Sequence, residues 1–164
     1  MWGIKNRGKR GDEAMKKIKV EIKVLEKAKD LPLPQYESPG SAGMDLRAAL
    51  EKDLELMPGK HCLIPTGLKI SLPENYEGQV RPRSGLALKY GITVLNAPGT
   101  LDSDYRGELK VILINLGETP YTIKRGDRIA QLIIAPLVKA DLMPVEVLSG
   151  TKRGEGGFGH SGLE

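Results

Sequence analysis

Aromatic, cysteine and histidine residues are scarce in this chain of 164 residues. Aromatic side chains make up 4% of it, with Phe158 as the single Phe. A nucleic-acid platform built from many stacking rings is therefore excluded. One cysteine, Cys62, excludes an intrachain disulfide and a cysteine-rich zinc site, and two histidines, His61 and His160, exclude a three-histidine metal centre.

Long apolar runs are also missing from the sequence. No segment approaches the ~20 apolar residues that a membrane-spanning helix needs. No secretory apolar region follows the basic start of the chain. Together with the single cysteine, this predicts a reducing, cytoplasmic setting and no membrane partner.

The excess positive charge is confined to the N-terminal end. The net charge is +4, but residues 1–24 hold eight Lys or Arg and three acids, so the other 140 residues sum to −1. We therefore expect a solvated basic extension and no stable nucleic-acid partner. A nucleic-acid-binding module remains an alternative that rests on these N-terminal charges alone.

The hydrophobic pattern predicts an all-β fold with one short helix. Alternating apolar residues over 18–24 indicate a strand with one solvent-exposed face. Short β-like runs follow near residues 54–56, 61–64, 67–72, 76–81, 92–95, 108–116, 119–123, 127–135 and 144–148, and residues 84–90 read as a short helix. Many short strands in one domain predict a sandwich or barrel.

Two of these strands are apolar without interruption. The runs 111–114 and 129–134 predict burial of both strand faces, by a second sheet or by another subunit.

The chain is predicted to have three parts. Residues 1–14 are predicted to be a disordered basic extension, 15–150 a β-barrel domain, and 151–164 a mobile C-terminal arm.

The glycine-rich arm carries a possible anion site. From Gly154 to Ser161 it has the spacing G-x-x-x-x-G-H-S, a P-loop spacing with His160 where Lys belongs. No strand precedes it, so it is not a P-loop of the usual kind. Its backbone N–H groups, with Arg153 and Ser161, suit a phosphate, and Phe158 suits stacking on a base. The alternative is a glycine-rich disordered terminus.

A second candidate anion site lies at the start of the predicted helix. Arg83 precedes Ser84 and Gly85, and Ser84 is placed to cap the helix so that its free N–H groups and Arg83 face one anion. The alternative is a capped turn with a surface arginine.

The stretch from Gly91 to Glu108 combines an apolar strand, a Pro-Gly turn, two carboxylates and a tyrosine. The amide of Asn96 has one acceptor and two donors, which suits the edge of a nucleobase. Asp102 or Asp104 suits the orientation and deprotonation of a water molecule. The alternative is a hairpin with ordinary turn residues.

Asp45 and Gln131 are polar residues in apolar surroundings. Both occupy strand positions, where burial without a partner is costly. A hydrated Mg²⁺ ion is one possible partner, because it keeps its waters and takes few protein ligands. Together, these features suggest a nucleoside polyphosphate as ligand. They are two anion sites, an amide that can read a base, an aromatic ring, a general base and a pair of residues near a hydrated metal ion.

Five segments of the chain, in order, resemble the five motifs of the trimeric dUTPase family. They are residues 42–46, 83–85, 96–105, 128–131 and 153–161. The resemblance implies a jelly-roll-like β fold and a homotrimer with three sites shared between subunits. It also implies Mg²⁺-assisted hydrolysis of dUTP to dUMP and diphosphate, which keeps dUTP low and supplies dUMP for thymidylate synthesis.

The resemblance further implies a role for individual residues. Asp102 would activate the attacking water, Asn96 would read uracil, and Tyr105 would pack under the deoxyribose and exclude a 2′-OH. Asp45 and Gln131 would lie near the waters of the metal. The other substrate-binding residues would be Arg83, Ser84 and Gly85 from a neighbouring subunit, Gly99, Thr100, Leu101 and Lys110, and Arg153, Phe158, Gly159 and Ser161 of the closing arm.

Two other functions would use a similar nucleotide ligand. A dCTP deaminase resembles this fold, but it would need a glutamate base, and the segment 102–105 and the glycine-rich arm favour the dUTPase. A dUTP-sensing protein without turnover is the second alternative. The presence of Asp102 argues against an inactive site.

Overall fold

The computed structural model describes residues 17–157. The predictions for residues 1–14 and for Phe158, Gly159 and Ser161 lie outside this range. Its strands are β1 (Glu21–Val24), β2 (Met44–Arg47), β3 (Leu54–Leu56), β4 (His61–Ser71), β5 (Tyr76–Arg81), β6 (Ile92–Val94), β7 (Gly99–Leu101), β8 (Leu109–Asn115), β9 (Tyr121–Ile123) and β10 (Arg128–Pro136). A 3₁₀ helix spans Glu26–Ala28, and α1 spans Ser84–Tyr90.

Two four-stranded antiparallel sheets and one two-stranded sheet make up the fold. The first sheet has the order β1-β4-β8-β6 and the second the order β2-β10-β5-β7, while β3 pairs with β9. Sequence neighbours are rarely strand neighbours, as expected of a jelly roll rather than a meander. The all-β prediction with a jelly-roll-like fold is confirmed.

The hydrophobic core lies between the two larger sheets. Fully buried side chains come from both of them, including Ile64 and Leu113 of the first sheet and Leu46 and Leu132 of the second. Along β8, Val111, Leu113 and Asn115 are buried, whereas Ile112 and Ile114 are only partly buried. The second face of this apolar strand is therefore not fully covered within the single chain.

The structure corrects several predicted strands. The runs 61–64 and 67–72 form one strand, β4, with an irregularity between Pro65 and Leu68. The strand expected over 18–24 begins only at Glu21, which pairs with Ser71, the last residue of β4, so no β4 residue remains opposite the earlier positions. The sequence pattern missed β7, whose three residues follow the turn at Pro98.

No strand forms over 144–148 in the described part of the chain. Residues 137–150 follow β10 without pairing to a strand of the same chain. A β-strand needs a hydrogen-bonded neighbour, and sequence alternation alone does not supply one. Within residues 17–157, no helix is long and apolar enough to cross a membrane.

Candidate active site

An open cavity of about 450 Å³ lies between the loop that joins β6 to β7, the segment after β7 and strand β8. Because β6 pairs with β8 and β7 pairs with β5, this loop crosses between the two sheets and is not a hairpin. This volume is within the usual range for a small-molecule site. Its lining residues are Leu63, Asn96, Thr100, Leu101, Asp102, Tyr105, Glu108, Leu109, Lys110 and Ile112. Six of the predicted substrate and catalytic residues, 96, 100, 101, 102, 105 and 110, are therefore brought together.

A tight turn presents the predicted catalytic residue. Asp102 directly follows β7, and the N–H of Tyr105 donates to the carbonyl oxygen of Asp102 at 3.2 Å. This turn places the Asp102 carboxylate and the Tyr105 ring on the same cavity, and both side chains are exposed to solvent. A water molecule and a substrate can thus reach the carboxylate together.

The β6–β7 loop that carries Asn96 is closely packed at Gly99. A Cβ atom on Gly99 would lie 3.2 Å from Nδ2 of Asn96 and 3.3 Å from Cβ of Val80. Glycine at this position lets β7 pair with β5 while the amide of Asn96 lies against it. Gly99 is buried and does not line the cavity, so its observed contact is with Asn96.

Asp45 lies in a second cluster, on the other sheet of the sandwich from β8. Its side chain is 7% exposed, and its two carboxylate oxygens accept hydrogen bonds from two arginines. Nε of Arg83 donates to Oδ1 at 3.0 Å, and Nη1 of Arg128 donates to Oδ2 at 3.1 Å. Two guanidinium groups thus satisfy this buried carboxylate.

Strand register places Gln131 in the same cluster. Gln131 on β10 lies opposite Asp45 on β2 and opposite Arg81 on β5. An irregularity between Arg128 and Ala130 lets Arg128 reach Asp45 from the start of the same strand. Asp45, Arg83 and Gln131, predicted from separate segments, are therefore neighbours in space.

The described residues contain no group of three or more His, Cys, Asp or Glu side chains able to hold a metal ion directly. Both oxygens of Asp45 already accept charged hydrogen bonds, so few lone pairs remain for direct ligation. This donor set does not form a metal cage. It fits a Mg²⁺ ion that carries its own waters and phosphate ligands, which is how Mg²⁺ usually binds at nucleotide sites.

The predicted cap at Ser84 is wrong. Arg83 occupies the N-cap with an extended backbone, no side-chain cap bond forms, and Ser84 is the first helical residue. The carbonyl oxygen of Arg83 accepts the N–H groups of Leu86 and Ala87, while Ser84 and Gly85 are exposed. None of these three residues, Arg83, Ser84 and Gly85, lines the cavity of the same chain.

Arg153 lies apart from both groups of residues. It is exposed in a turn, and its Nε donates to the carbonyl oxygen of Gly156 at 2.6 Å. It does not line the cavity in the single chain. The structure therefore leaves Arg153 unconnected to the residues with which it was predicted to act.

Glu108, which lines the cavity, and Arg128, which donates to Asp45, are residues to which the sequence assigned no role. Burial raises the pKa of Glu108, but hydrogen bonds from Lys27 and the N–H of Gly67 outweigh it and hold the pKa below its usual range. Lys27 and Gly67 are far away in sequence, and Arg128 reaches Asp45 only through strand register. Neither contact can be inferred from the local sequence around these residues.

Comparison with known proteins agrees with this geometry. The family model described as dUTPase matches residues 29–162. The deoxyuridine 5'-triphosphate nucleotidohydrolase of Thermoanaerobacter sp. (strain X514) is 58% identical over 146 residues, which is 89% of this chain and 99% of that protein.

Solved structures agree as well. A mutant dUTPase of Staphylococcus bacteriophage 80alpha with dUpNHpp is 28% identical, covers 88% of this chain and 99% of its own, and has a TM-score of 0.79. A mutant dUTPase of phage phi11 of S. aureus, described with a structural Mg(II) ion, shares the fold at 24% identity and a TM-score of 0.70. With the family model matched over most of its length, the chain belongs to the dUTPase family.

Proposed function

We propose that the cavity bordered by Asn96, Asp102 and Tyr105 is where this dUTPase hydrolyses dUTP to dUMP and diphosphate. The observation that carries the proposal is the convergence of these three side chains on one open cavity of about 450 Å³. An amide can read the edge of uracil, a ring can face the sugar, and a carboxylate can hold the attacking water.

In the proposed reaction, the oxygen of a water molecule attacks the α-phosphorus. A new P–O bond forms there, and the bond from the α-phosphorus to the bridging oxygen of the diphosphate breaks. The carboxylate of Asp102 orients the water and accepts its proton. Such a reaction depends on positioning and charge neutralisation rather than on a covalent enzyme intermediate.

Tyr105 and the β6–β7 loop would select the nucleoside. The ring of Tyr105 would pack under the deoxyribose and leave no room for a 2′-OH. Asn96 and the backbone of residues 95–100 would hold uracil, and the closeness of this backbone would exclude the 5-methyl group of thymine. Thr100, Leu101 and Lys110, which line the same cavity, would complete the contacts with the nucleoside.

We also propose a homotrimer whose sites are shared between subunits. Residues 137–150 expose large apolar side chains that a single soluble chain would not leave in water, including Val138 (90% exposed), Leu142 (85%) and Val147 (84%). Leu63 and Leu95 near the cavity are also exposed. In a trimer, Arg83, Ser84 and Gly85 of one subunit would contact the phosphates bound at the cavity of the next.

The arm would close over the bound nucleotide. Asn96, Asp102 and Tyr105 are all exposed in the single chain, so the cavity alone does not exclude bulk water. Arg153 and Ser161 would bind phosphate, Gly159 would allow close approach of the backbone, and Phe158 would stack on uracil. An arm of this kind excludes water only while substrate is present.

The metal ion in the proposed reaction is Mg²⁺. Asp45 and Gln131 would accept hydrogen bonds from its waters, and Arg83 and Arg128, already held by Asp45, would face the phosphates. When bound, the ion would neutralise phosphate charge. The cytoplasmic location expected from the sequence stays a prediction.

Product analysis with four nucleotides tests the proposal. The protein should release diphosphate from dUTP and much less from dTTP, dCTP and UTP, and chelation of Mg²⁺ should slow the reaction. Ammonia from dCTP without diphosphate would instead indicate a deaminase. Tight dUTP binding without any product would indicate a sensing protein, and either result would overturn the proposed reaction.

A further inference from the structure

Glu108 connects three distant parts of the chain behind the wall of the cavity. Its carboxylate is 12% exposed, and Nζ of Lys27 lies 2.7 Å from Oε1 and 2.9 Å from Oε2. The N–H of Gly67 donates to Oε1 at 2.9 Å. The 3₁₀ helix, strand β4 and the start of β8 thus meet at one side chain.

Lys27 is itself held in place by its surroundings. The N–H of Leu25 donates to the carbonyl oxygen of Gly67 at 2.8 Å, and Nη2 of Arg125 donates to the carbonyl oxygen of Lys27 at 2.7 Å. Next to it, Ala28 is 1% exposed. The ammonium group therefore approaches Glu108 from a fixed backbone and not from a free end of the chain.

The backbone of residues 107–108 determines where the Tyr105 ring lies. The hydroxyl of Tyr105 donates to the carbonyl oxygen of Glu108 at 3.2 Å. A Cβ atom on Gly107 would lie 2.1 Å from Oη and 2.3 Å from Cζ of Tyr105, so the ring lies directly on the glycine. A shift of Glu108 would therefore shift or release the ring.

We propose that Glu108, anchored by Lys27, is a positioning residue that holds the Tyr105 ring against the sugar and thereby sets discrimination between deoxyribose and ribose. The inference rests on the proposed function, because it requires Tyr105 to face the sugar. Without Lys27, the carboxylate of Glu108 would keep one N–H donor and turn towards water. Its backbone carbonyl would move with it, and the ring would gain freedom to admit a 2′-OH.

Loss of Lys27 could act through the electrostatic potential of the cavity or through the position of the Tyr105 ring, and the two effects differ in the kinetics. Loss of Lys27 also leaves a net negative charge beside the cavity, which would weaken binding of both triphosphates. That effect raises KM for dUTP and UTP equally. Only movement of the ring changes the ratio of kcat/KM for dUTP to kcat/KM for UTP, so this ratio is the quantity to measure.

The test compares Lys27→Met, Lys27→Arg and the control Lys29→Met. Lys29 pairs with Glu26 on the exposed side of the same segment and does not contact Glu108. We expect the dUTP/UTP ratio to fall about five- to tenfold in Lys27→Met, the scale of one ordinary hydrogen bond. It should stay within about twofold of wild type in Lys27→Arg and Lys29→Met, with thermal melting as the check on folding.

A double-variant comparison shows whether the effect passes through the ring. Tyr105→Phe keeps the ring but cannot donate to Glu108, so adding Lys27→Met to it should not lower the ratio further. An unchanged ratio in Lys27→Met, or full additivity with Tyr105→Phe, would overturn the inference. Tyr105→Ala separates the two proposals: if it leaves the ratio unchanged, the sugar role of Tyr105 fails as well.

Discussion

The carboxylate of Asp45 accepts a hydrogen bond from Nε of Arg83 at 3.0 Å, across 38 residues of sequence. A residue predicted to serve the metal's waters and a residue predicted to bind phosphate are therefore bonded to each other. Arg128 completes the cluster from the opposite side of the carboxylate. The orientation of the two guanidinium groups thus depends on one buried acid.

Asp45→Ala should lower both stability and activity. The variant leaves Arg83 and Arg128 without their charged acceptor, at a cost of about 1–3 kcal/mol in the free energy of unfolding. Urea unfolding and steady-state kinetics measure the two effects. Glu37→Ala is the matched control, because Glu37 lies 3.8 Å from Arg128 and is half exposed, and it should be nearly neutral.

Asp102→Asn should lower kcat by about 10²- to 10⁴-fold, the usual effect of a lost acid–base group, with dUTP affinity nearly unchanged. The amide keeps the shape of the side chain but cannot accept the proton. Asp104→Asn is the control in the same turn, since Asp104 does not line the cavity. The opposite result, with Asp104→Asn inactive and Asp102→Asn active, would move the base to Asp104.

Phe158→Ala and truncation after Gly150 should each weaken dUTP binding and turnover together. A glycine-rich segment loses conformational entropy on closure, and stacking of Phe158 on uracil would offset this by about 1–3 kcal/mol. Nucleotide titration and steady-state kinetics check the prediction. A truncated protein with full activity would remove the arm from the mechanism.

Local pattern was sufficient to predict a large part of the fold. Strands β3 and β5 and helix α1 begin and end where the sequence indicates, because alternation, turn residues and a short helical run are local signals. The start of β1 and the absence of a strand over 144–148 depend on whether a neighbouring strand is present. That information is not local, so the sequence pattern was wrong there.

The candidate site also contains residues that the local sequence predicts and contacts that depend on distant parts of the chain. Residues close in sequence, such as Asn96, Asp102 and Tyr105, converge as their shared segment suggests. The contacts of Glu108 with Lys27 and of Arg128 with Asp45 join residues 81 and 83 positions apart, and such contacts form only in the folded chain. Ser84 was expected to cap its helix, but the N-cap is at Arg83 because the extended backbone ends there.

A charged substitution in the segment after β10 should disrupt the proposed trimer. Leu142→Asp with Met143→Asp places two charges where both apolar side chains are more than 80% exposed in the single chain. If another subunit covers them, the protein should become monomeric and lose activity, which light scattering and kinetics would show. Glu146→Gln in the same segment should leave the assembly intact, and a trimeric double variant would exclude this surface from the interface.

Acid should weaken the contact between Glu108 and Lys27. The pKa of Glu108 is lowered from its ordinary value of 4.5, since burial, which raises it, is outweighed by Lys27 and Gly67. The native state then binds the proton less tightly than the unfolded chain. Stabilisation by Glu108 is therefore complete above the unfolded pKa and is lost as the pH falls through the lower native pKa.

Glu108→Gln measures this contribution. The difference in free energy of unfolding between wild type and variant should be constant from neutral pH to about 5 and should shrink below about 4.5. Urea unfolding at a series of pH values gives the difference. The control is Glu74→Gln at an exposed position, which should show no such convergence with wild type, and a pH-independent difference for Glu108→Gln would contradict the prediction.

Hydrolysis of dUTP in ¹⁸O-labelled water tests most directly whether water attacks the α-phosphorus, which is the central step of the proposed reaction. Mass spectrometry of both products locates the new oxygen, and a single-turnover reaction prevents later exchange. We predict one ¹⁸O atom in the phosphate of dUMP and none in diphosphate. Label in diphosphate would mean attack at the β-phosphorus and would contradict the proposed reaction.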